Sequence, residues 1–192
     1  MRYPEEDKGA EMTIAASYDA LARLLDYPTE KQQLRVDYEL VSSFLNKLHL
    51  DSPISDFAGF AEASSLAELQ EEYVATFDFN PATAPYLGHH LFGDNQKKGG
   101  YMIMLKQEFE RCGYTPVGTE LPDHLSVVLG FLAHLARQEG QGTRQPFIAE
   151  CVLPGVERLS TAFDARQDSH WKVLVEAARL LCAEDCKEVP SC

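Results

Sequence analysis

Apolar residues recur along this chain at helical rather than strand spacing. Ile14, Tyr18, Leu21 and Leu25 follow one another at intervals of four, three and four, which stacks them on one face of a helix. That helix begins near Thr13 and ends before Pro28, since the residue ahead of a proline is pushed out of the helical region. Thr29 and Gln32 have capping-box spacing and precede Leu34, Tyr38, Val41, Leu45 and Leu48, which predict a second helix. Residues 51–63 fit a short helix or turn. Ser65 and Glu68 repeat the capping box ahead of Leu66, Leu69, Tyr73 and Phe77, a third stripe that stops before Asn80-Pro81.

Between Pro81 and Asn95 two prolines, two glycines and the pair His89-His90 predict a loop holding one helical turn. Asp94 or Asn95 can cap a helix bearing Tyr101, Met104, Leu105 and Phe109, and Gly113 suits the left-handed position past its end. After a loop at 114–118, Thr119 and Pro122 fit the start of a helix carrying Leu121, Leu125, Val128, Leu132 and Leu135. Two further helices are predicted around 146–164, disturbed at Pro154-Gly155, and 169–183, along Trp171, Leu174, Ala178 and Leu181. No stretch alternates in the manner of a strand. The expected fold is all-α: a single-domain bundle of about seven to nine helices over residues 13–182, with a flexible N-terminus at 1–12 and a flexible tail at 183–192.

Charge narrows the partners. The chain has 192 residues, with 17 Lys and Arg against 30 Asp and Glu, a formal net charge of −13. Such a field repels the phosphate backbone of nucleic acid and attracts a basic peptide in a salt-dependent way, although it equally serves solubility. The five cysteines form no regular framework, and no signal sequence or apolar run of roughly 20 residues is present, which fits a reducing cytoplasm and no direct membrane insertion.

Three motifs resemble one known family. Glu71-Glu72-Tyr73-Val74-Ala75-Thr76-Phe77 is similar to an acidic-Tyr pattern followed by an apolar or aromatic residue four positions on. Glu120-Leu121-Pro122-Asp123-His124 resembles an acidic-x-Pro-Asp-His signature, and Leu21-Ala22-Arg23-Leu24-Leu25-Asp26-Tyr27-Pro28 looks like a leucine-rich helix ending in Tyr-Pro. Together they resemble the NarJ/TorD family of molybdoenzyme maturation chaperones, and the wording is nearest its NarJ, nitrate reductase, branch. The resemblance implies a TorD-like helical bundle. It implies a cytoplasmic chaperone without a cofactor that holds the N-terminal, signal-like segment of a molybdoenzyme catalytic subunit until the molybdenum cofactor is inserted. The client would be nitrate reductase or a relative of the dimethyl-sulfoxide-reductase type.

The residues alone leave more than one reading. Tyr73 and Phe77, one turn apart, suit a plain core stripe; with the resemblance they and Leu125 become groove-lining positions, with Glu71 or Glu72 at the rim. A helix start explains Pro122 and Asp123 but leaves His124 without a role. Read functionally, Glu120, Pro122, Asp123, His124 and Leu125 form an edge that hydrogen-bonds the client, and the imidazole makes binding pH-sensitive. A catalytic relay through Asp123 and His124 lacks a nucleophile motif. His89-His90 with Cys182 and Cys186 is a weak metal pattern, because adjacent histidines diverge and one Cys-x-x-x-Cys has no second pair. A non-enzyme without a metal is the expectation; the alternatives are a metal-dependent enzyme and a permanent structural subunit of a redox complex.

Overall fold

The structure is a computed structural model that describes residues 12–138, 141–165 and 169–188. Its helices are α1 (Ile14–Leu24), α2 (Lys31–Lys47), α3 (Ile54–Ala63), α4 (Leu66–Tyr73), α5 (Leu87–Phe92), α6 (Gln96–Arg111), α7 (Leu125–Arg137), α8 (Gln141–Phe147), α9 (Leu153–Ala162) and α10 (Lys172–Asp185). A π-helical turn at Val74–Asp78 continues α4, and another at Ile148–Val152 joins α8 to α9 into one rod, so the described residues form nine rods and no strand. The fold is all-α, as the periodicity requires.

Helix α7 is the axis of the bundle. Leu125, Val128, Leu129, Phe131 and Leu132 are inaccessible to solvent, and a helix apolar around most of its circumference can satisfy itself only by being wrapped. Helix α1 packs along it, with Tyr18, Leu21 and the capping Leu25 buried in the common core, α2 covers α1, and α10 packs on α9 and α3. Several helix ends follow from local chemistry. The Thr13 hydroxyl accepts from the Ala16 N–H, Ser65 and Glu68 close a reciprocal capping box, and Asn95 accepts from the Lys97 N–H. Gly113 adopts φ +69° past α6, where the Tyr114 N–H reaches Phe109 O and the Gly113 N–H reaches Glu110 O. This is a Schellman close that a side chain at 113 would strain.

Elsewhere the structure departs from the sequence reading. The Thr29–Gln32 box does not form: Glu30 is the N-cap of α2 and makes no side-chain bond there. Thr29 lies one residue too early, and the adjoining Lys31 ammonium instead donates to Glu62 O and Ser64 O at the end of α3. Helix α7 begins at Leu125 rather than near Thr119, which leaves Leu121 off the stripe and 48% exposed. The disturbance expected at Pro154-Gly155 falls just ahead of it, in the π turn 148–152. Proline has no N–H to return to the carbonyl of Glu150, and the widened turn absorbs the mismatch. Helix α10 continues past the boundary drawn at 182. Asp185, one turn on, is buried and accepts from the Tyr18 hydroxyl (2.9 Å) and from two nitrogens of buried Arg144 (2.9 and 2.8 Å). Residues 1–11 and 189–192 of the expected termini lie outside the described residues.

Candidate functional site

The first motif forms the end of α4 and its π turn. Tyr73 and Phe77 both face inward, 4% and 1% exposed, and pack with Phe57 around Trp171, whose ring centre lies 5.2 Å from Tyr73, 5.9 Å from Phe77 and 5.1 Å from Phe57. A π turn loosens the carbonyl ladder. Here the Thr83 hydroxyl takes up Thr76 O, and the Thr76 hydroxyl bonds Ser169 (3.0 Å). The extra residue also turns the chain outward, so that Phe79 is 81% exposed only two positions after a buried phenylalanine. Glu72 is tied rather than free: its carboxylate accepts from the His170 N–H (2.9 Å) and contacts the ring Nδ1 (3.0 Å), while that ring stacks on Phe60 at 3.9 Å.

The second motif is a bracket. Asp123 and His124 sit in the turn before α7, 0% and 2% exposed, paired antiparallel with 85–87: the Leu87 N–H donates to Asp123 O (2.9 Å) and the Leu125 N–H to Pro85 O (2.7 Å). The Asp123 carboxylate accepts from the Gly88 N–H through Oδ2 (3.1 Å) and so caps α5 from across the fold. No side chain fits at 88, where a Cβ would stand 2.7 Å from that oxygen. His124 is the N-cap of α7 itself. The Ser126 N–H donates to Nδ1 (3.2 Å), which makes Nδ1 an acceptor and puts the proton of the neutral ring on Nε2. One residue therefore caps each of two helices, and the imidazole that seemed to lack a role in a helix start is the cap.

Electrostatics follow burial. Desolvation raises the Asp123 carboxyl above its ordinary value, opposed by the Gly88 N–H and by Lys98, and Oδ1 has no hydrogen-bond partner among the described residues. Desolvation lowers the His124 imidazole, opposed by the nearby charges of Glu120, Asp26, Asp123 and Asp78. Burial and the hydrogen bond from its hydroxyl to Glu120 (2.9 Å) push Tyr86 up to about 12, with Asp78 and Asp123 acting in the same direction. Asp26, Asp78 and Glu120 also raise Tyr73, after burial. The two motifs thus meet: three exposed carboxylates surround a buried pair of aromatic and imidazole rings.

Of the eight residues singled out in the sequence, Tyr73, Phe77, Asp123, His124 and Leu125 lie beneath the surface, and Glu72, Glu120 and Pro122 reach it. Beside Tyr73 lies a groove of about 430 Å³ lined by Tyr27, Ala67, Gln70, Glu71, Val74, Ala75 and Phe79. Tyr27, 44% exposed, rests edge-on against Tyr73 at 5.6 Å. Sequence reasoning passed over Phe79, Pro85, Tyr86 and Gly88. Of the groove's lining, Tyr27 inside the third motif and Glu71, Val74 and Ala75 inside the first carried a signal. No group of three or more His, Cys, Asp or Glu among the described residues is arranged to hold a metal ion, and no helix there is long and apolar enough to cross a membrane.

The bundle is similar to the solved structure of a redox enzyme maturation protein from Archaeoglobus fulgidus, with a TM-score of 0.60 over 93% of this chain and 99% of that one. At 17% identity that likeness is one of fold, and it sets the architectural class. The profile of the nitrate reductase delta subunit family matches residues 39–173, and the chain belongs to that family. It is 30% identical over 159 residues to the nitrate reductase molybdenum cofactor assembly chaperone NarJ of Bacillus subtilis, covering 82% of this chain and 84% of that one. It is 29% identical over 122 residues to NarJ of Escherichia coli K12, of which it spans 52%, and 31% identical over 140 residues to the nitrate reductase-like protein NarX of Mycobacterium tuberculosis, of which it spans 20%. The chaperones among these relatives are named for assembly rather than for a reaction.

Proposed function

We propose that this protein is a cytoplasmic assembly chaperone for a molybdenum-containing oxidoreductase of the nitrate reductase type, and that it binds the N-terminal segment of the catalytic subunit while the molybdenum cofactor is inserted. The observation that carries this reading is the groove beside Phe79: an exposed phenylalanine and tyrosine, walled by Val74 and Ala75, beside the carboxylates of Glu71, Asp26 and Asp78. A single exposed apolar residue is ordinary, but two aromatic rings around a groove rimmed with acid suit an amphipathic segment carrying basic residues. Tyr73, against which Tyr27 rests, and Phe77 support the groove from beneath, while Asp123, His124 and Leu125 hold the neighbouring bracket, with Glu120 and Pro122 at its surface. Glu72 holds the turn before α10. No bond is made or broken and the protein needs no cofactor of its own.

Ordering a flexible segment opposes binding, so the affinity is moderate and release remains easy. Calorimetric titration with synthetic peptides covering the N-termini of molybdoenzyme catalytic subunits tests the reading. Saturable binding to one of them, weaker at high salt and weaker again in Phe79→Ser, is the expected result. Failure of every such peptide to bind, with the thermal midpoint of the protein intact, overturns it.

A further inference from the structure

The groove beside Phe79 does not stop at Tyr27. Tyr27 also walls a smaller depression of about 160 Å³ that runs past Asp26 and Arg23, and those two residues border a third, of about 280 Å³, that lies between α1 and the length of α7. The three share lining residues, Tyr27 between the first two and Arg23 with Asp26 between the last two, and so adjoin one another as a broken trough around the end of α1. Ala22, Tyr114 and Val127 line its far end under Val117, which is 95% exposed. That end is built closely: a Cβ at Gly130 would stand 2.6 Å from the Tyr114 hydroxyl, which reaches Val127 O at 3.3 Å. Glycine in mid-helix is unfavourable, and here it lets a tyrosine lie against α7.

Charge along the trough is uneven. Arg23 is spent on buried Asp37 and Arg137 on Asp19. Asp26, at the middle, accepts only the N–H of its neighbour Tyr27 and has no ion pair among the described residues. The trough therefore carries apolar surface at both ends and an unpaired carboxylate between them: Phe79 and Tyr27 at one end, Asp26 at the centre, and at the other Val117 and Val127, set among the paired Asp19 and Arg137 and the polar Ser126 and His134.

Resting on the chaperone reading above, we infer that the client segment fills the whole trough, and that it carries two apolar anchors with a lysine or arginine between them. One anchor lies against Phe79 and Tyr27, the cation sits over Asp26, and the second anchor packs on Ala22 and Val127 beneath Val117. A single anchor contributes about tenfold in affinity, from the burial of one aliphatic side chain. Two anchors with a cation at fixed spacing discriminate between segments that share only hydrophobicity.

The test uses whichever catalytic-subunit peptide binds the wild-type chain, in intact form and in versions truncated from each end until one apolar residue is lost. Val117→Ser and Phe79→Ser alter side chains that stand almost wholly in solvent, so their thermal midpoints match the wild type. Val117→Ser weakens the intact peptide about tenfold and leaves unchanged the truncated version that lacks the anchor beneath it, whereas Phe79→Ser weakens both. Changing the intervening basic residue to glutamine removes most of the salt dependence. If Phe79→Ser weakens the intact peptide and Val117→Ser does not, or if the glutamine peptide keeps its salt dependence, the two-anchor inference is overturned and the chaperone reading stands. If no peptide binds the wild type, both fall together.

Discussion

The bracket joining 85–88 to 120–126 and the groove between Tyr27 and Phe79 lie side by side, yet they are made of opposite materials. In the bracket nearly every polar group is spent: backbone pairs with backbone, Asp123 caps α5, His124 caps α7, and both side chains are sealed from solvent. In the groove Phe79 stands largely in water and Tyr27 nearly half so, with carboxylates around them. Burying polar groups is tolerable only when each finds a partner, so the bracket is a rigid joint. Exposed aromatic side chains gathered around one groove mark a surface suited to contact. The residues that make the motifs conspicuous in the sequence are thus mostly the frame, and the residues proposed to meet a partner are the less conspicuous members of those motifs and their neighbour Phe79.

The largest effect should come from breaking the frame. Asp123→Ala strips the acceptor from the buried Gly88 N–H and removes the cap of a six-residue helix too short to hold itself. A loss of about 1–3 kcal/mol in unfolding free energy is expected, read as a lower midpoint in thermal or urea melts. Gly88→Ala forces a methyl to within 2.7 Å of the same carboxylate and acts in the same direction. Asp123→Asn separates geometry from charge. Because burial raises the folded-state pKa of Asp123, its contribution to stability is present below the ordinary value near 3.8 and lost as pH rises through the higher folded value, leaving a penalty at neutral pH. The amide keeps an acceptor for Gly88 without that penalty and is expected to match or exceed the wild type at pH 7. A destabilised Asn variant beside a tolerated Ala variant would mean that Asp123 is not a cap.

How much of this the sequence disclosed follows from the range of the forces involved. Helix α1 and the Ser65 capping box were readable because stripes and caps are set within four residues. The bracket was not, since Asp123 and the glycine it caps are 35 residues apart and no spacing rule links them. His124 was misjudged for a related reason: imidazole is an uncommon cap, so its role emerges only once Ser126 and the turn at 122–124 are placed in space. Leu121 fell on the predicted stripe by spacing alone, but the helix starts after it. Asp185 looked like part of a frayed tail because its partners, Tyr18 and Arg144, lie far away in the chain.

A pH dependence distinguishes the frame more finely. Burial lowers the folded-state pKa of His124, so its contribution is present above the ordinary value near 6.5 and lost as pH falls through the lower folded value. Protonation also destroys the Nδ1 acceptor that caps α7. Stability should therefore decline from about pH 6.5 downward, by at most about 1.4 kcal/mol per pH unit for one proton. His124→Asn retains a capping oxygen without titrating, and its melts should lose this component of the slope while midpoints near pH 8 stay close to wild type. An unchanged slope would assign the acid sensitivity elsewhere.

The smallest effect belongs to Glu72, which the sequence placed at the groove rim and which the structure ties to His170. Both partners are partly solvent-exposed, with side chains 23% and 45% accessible, so screening limits the pair to less than about 1 kcal/mol. Glu72→Gln keeps an acceptor for the His170 N–H and should hardly move the midpoint. Its value lies in the binding experiment. If Glu72 serves only the turn ahead of α10, Glu72→Gln leaves the affinity and salt dependence of a bound catalytic-subunit peptide unchanged, whereas Asp26→Asn weakens both. Equal losses in the two variants would extend the acidic rim across α4 and erase the boundary between frame and groove at that point.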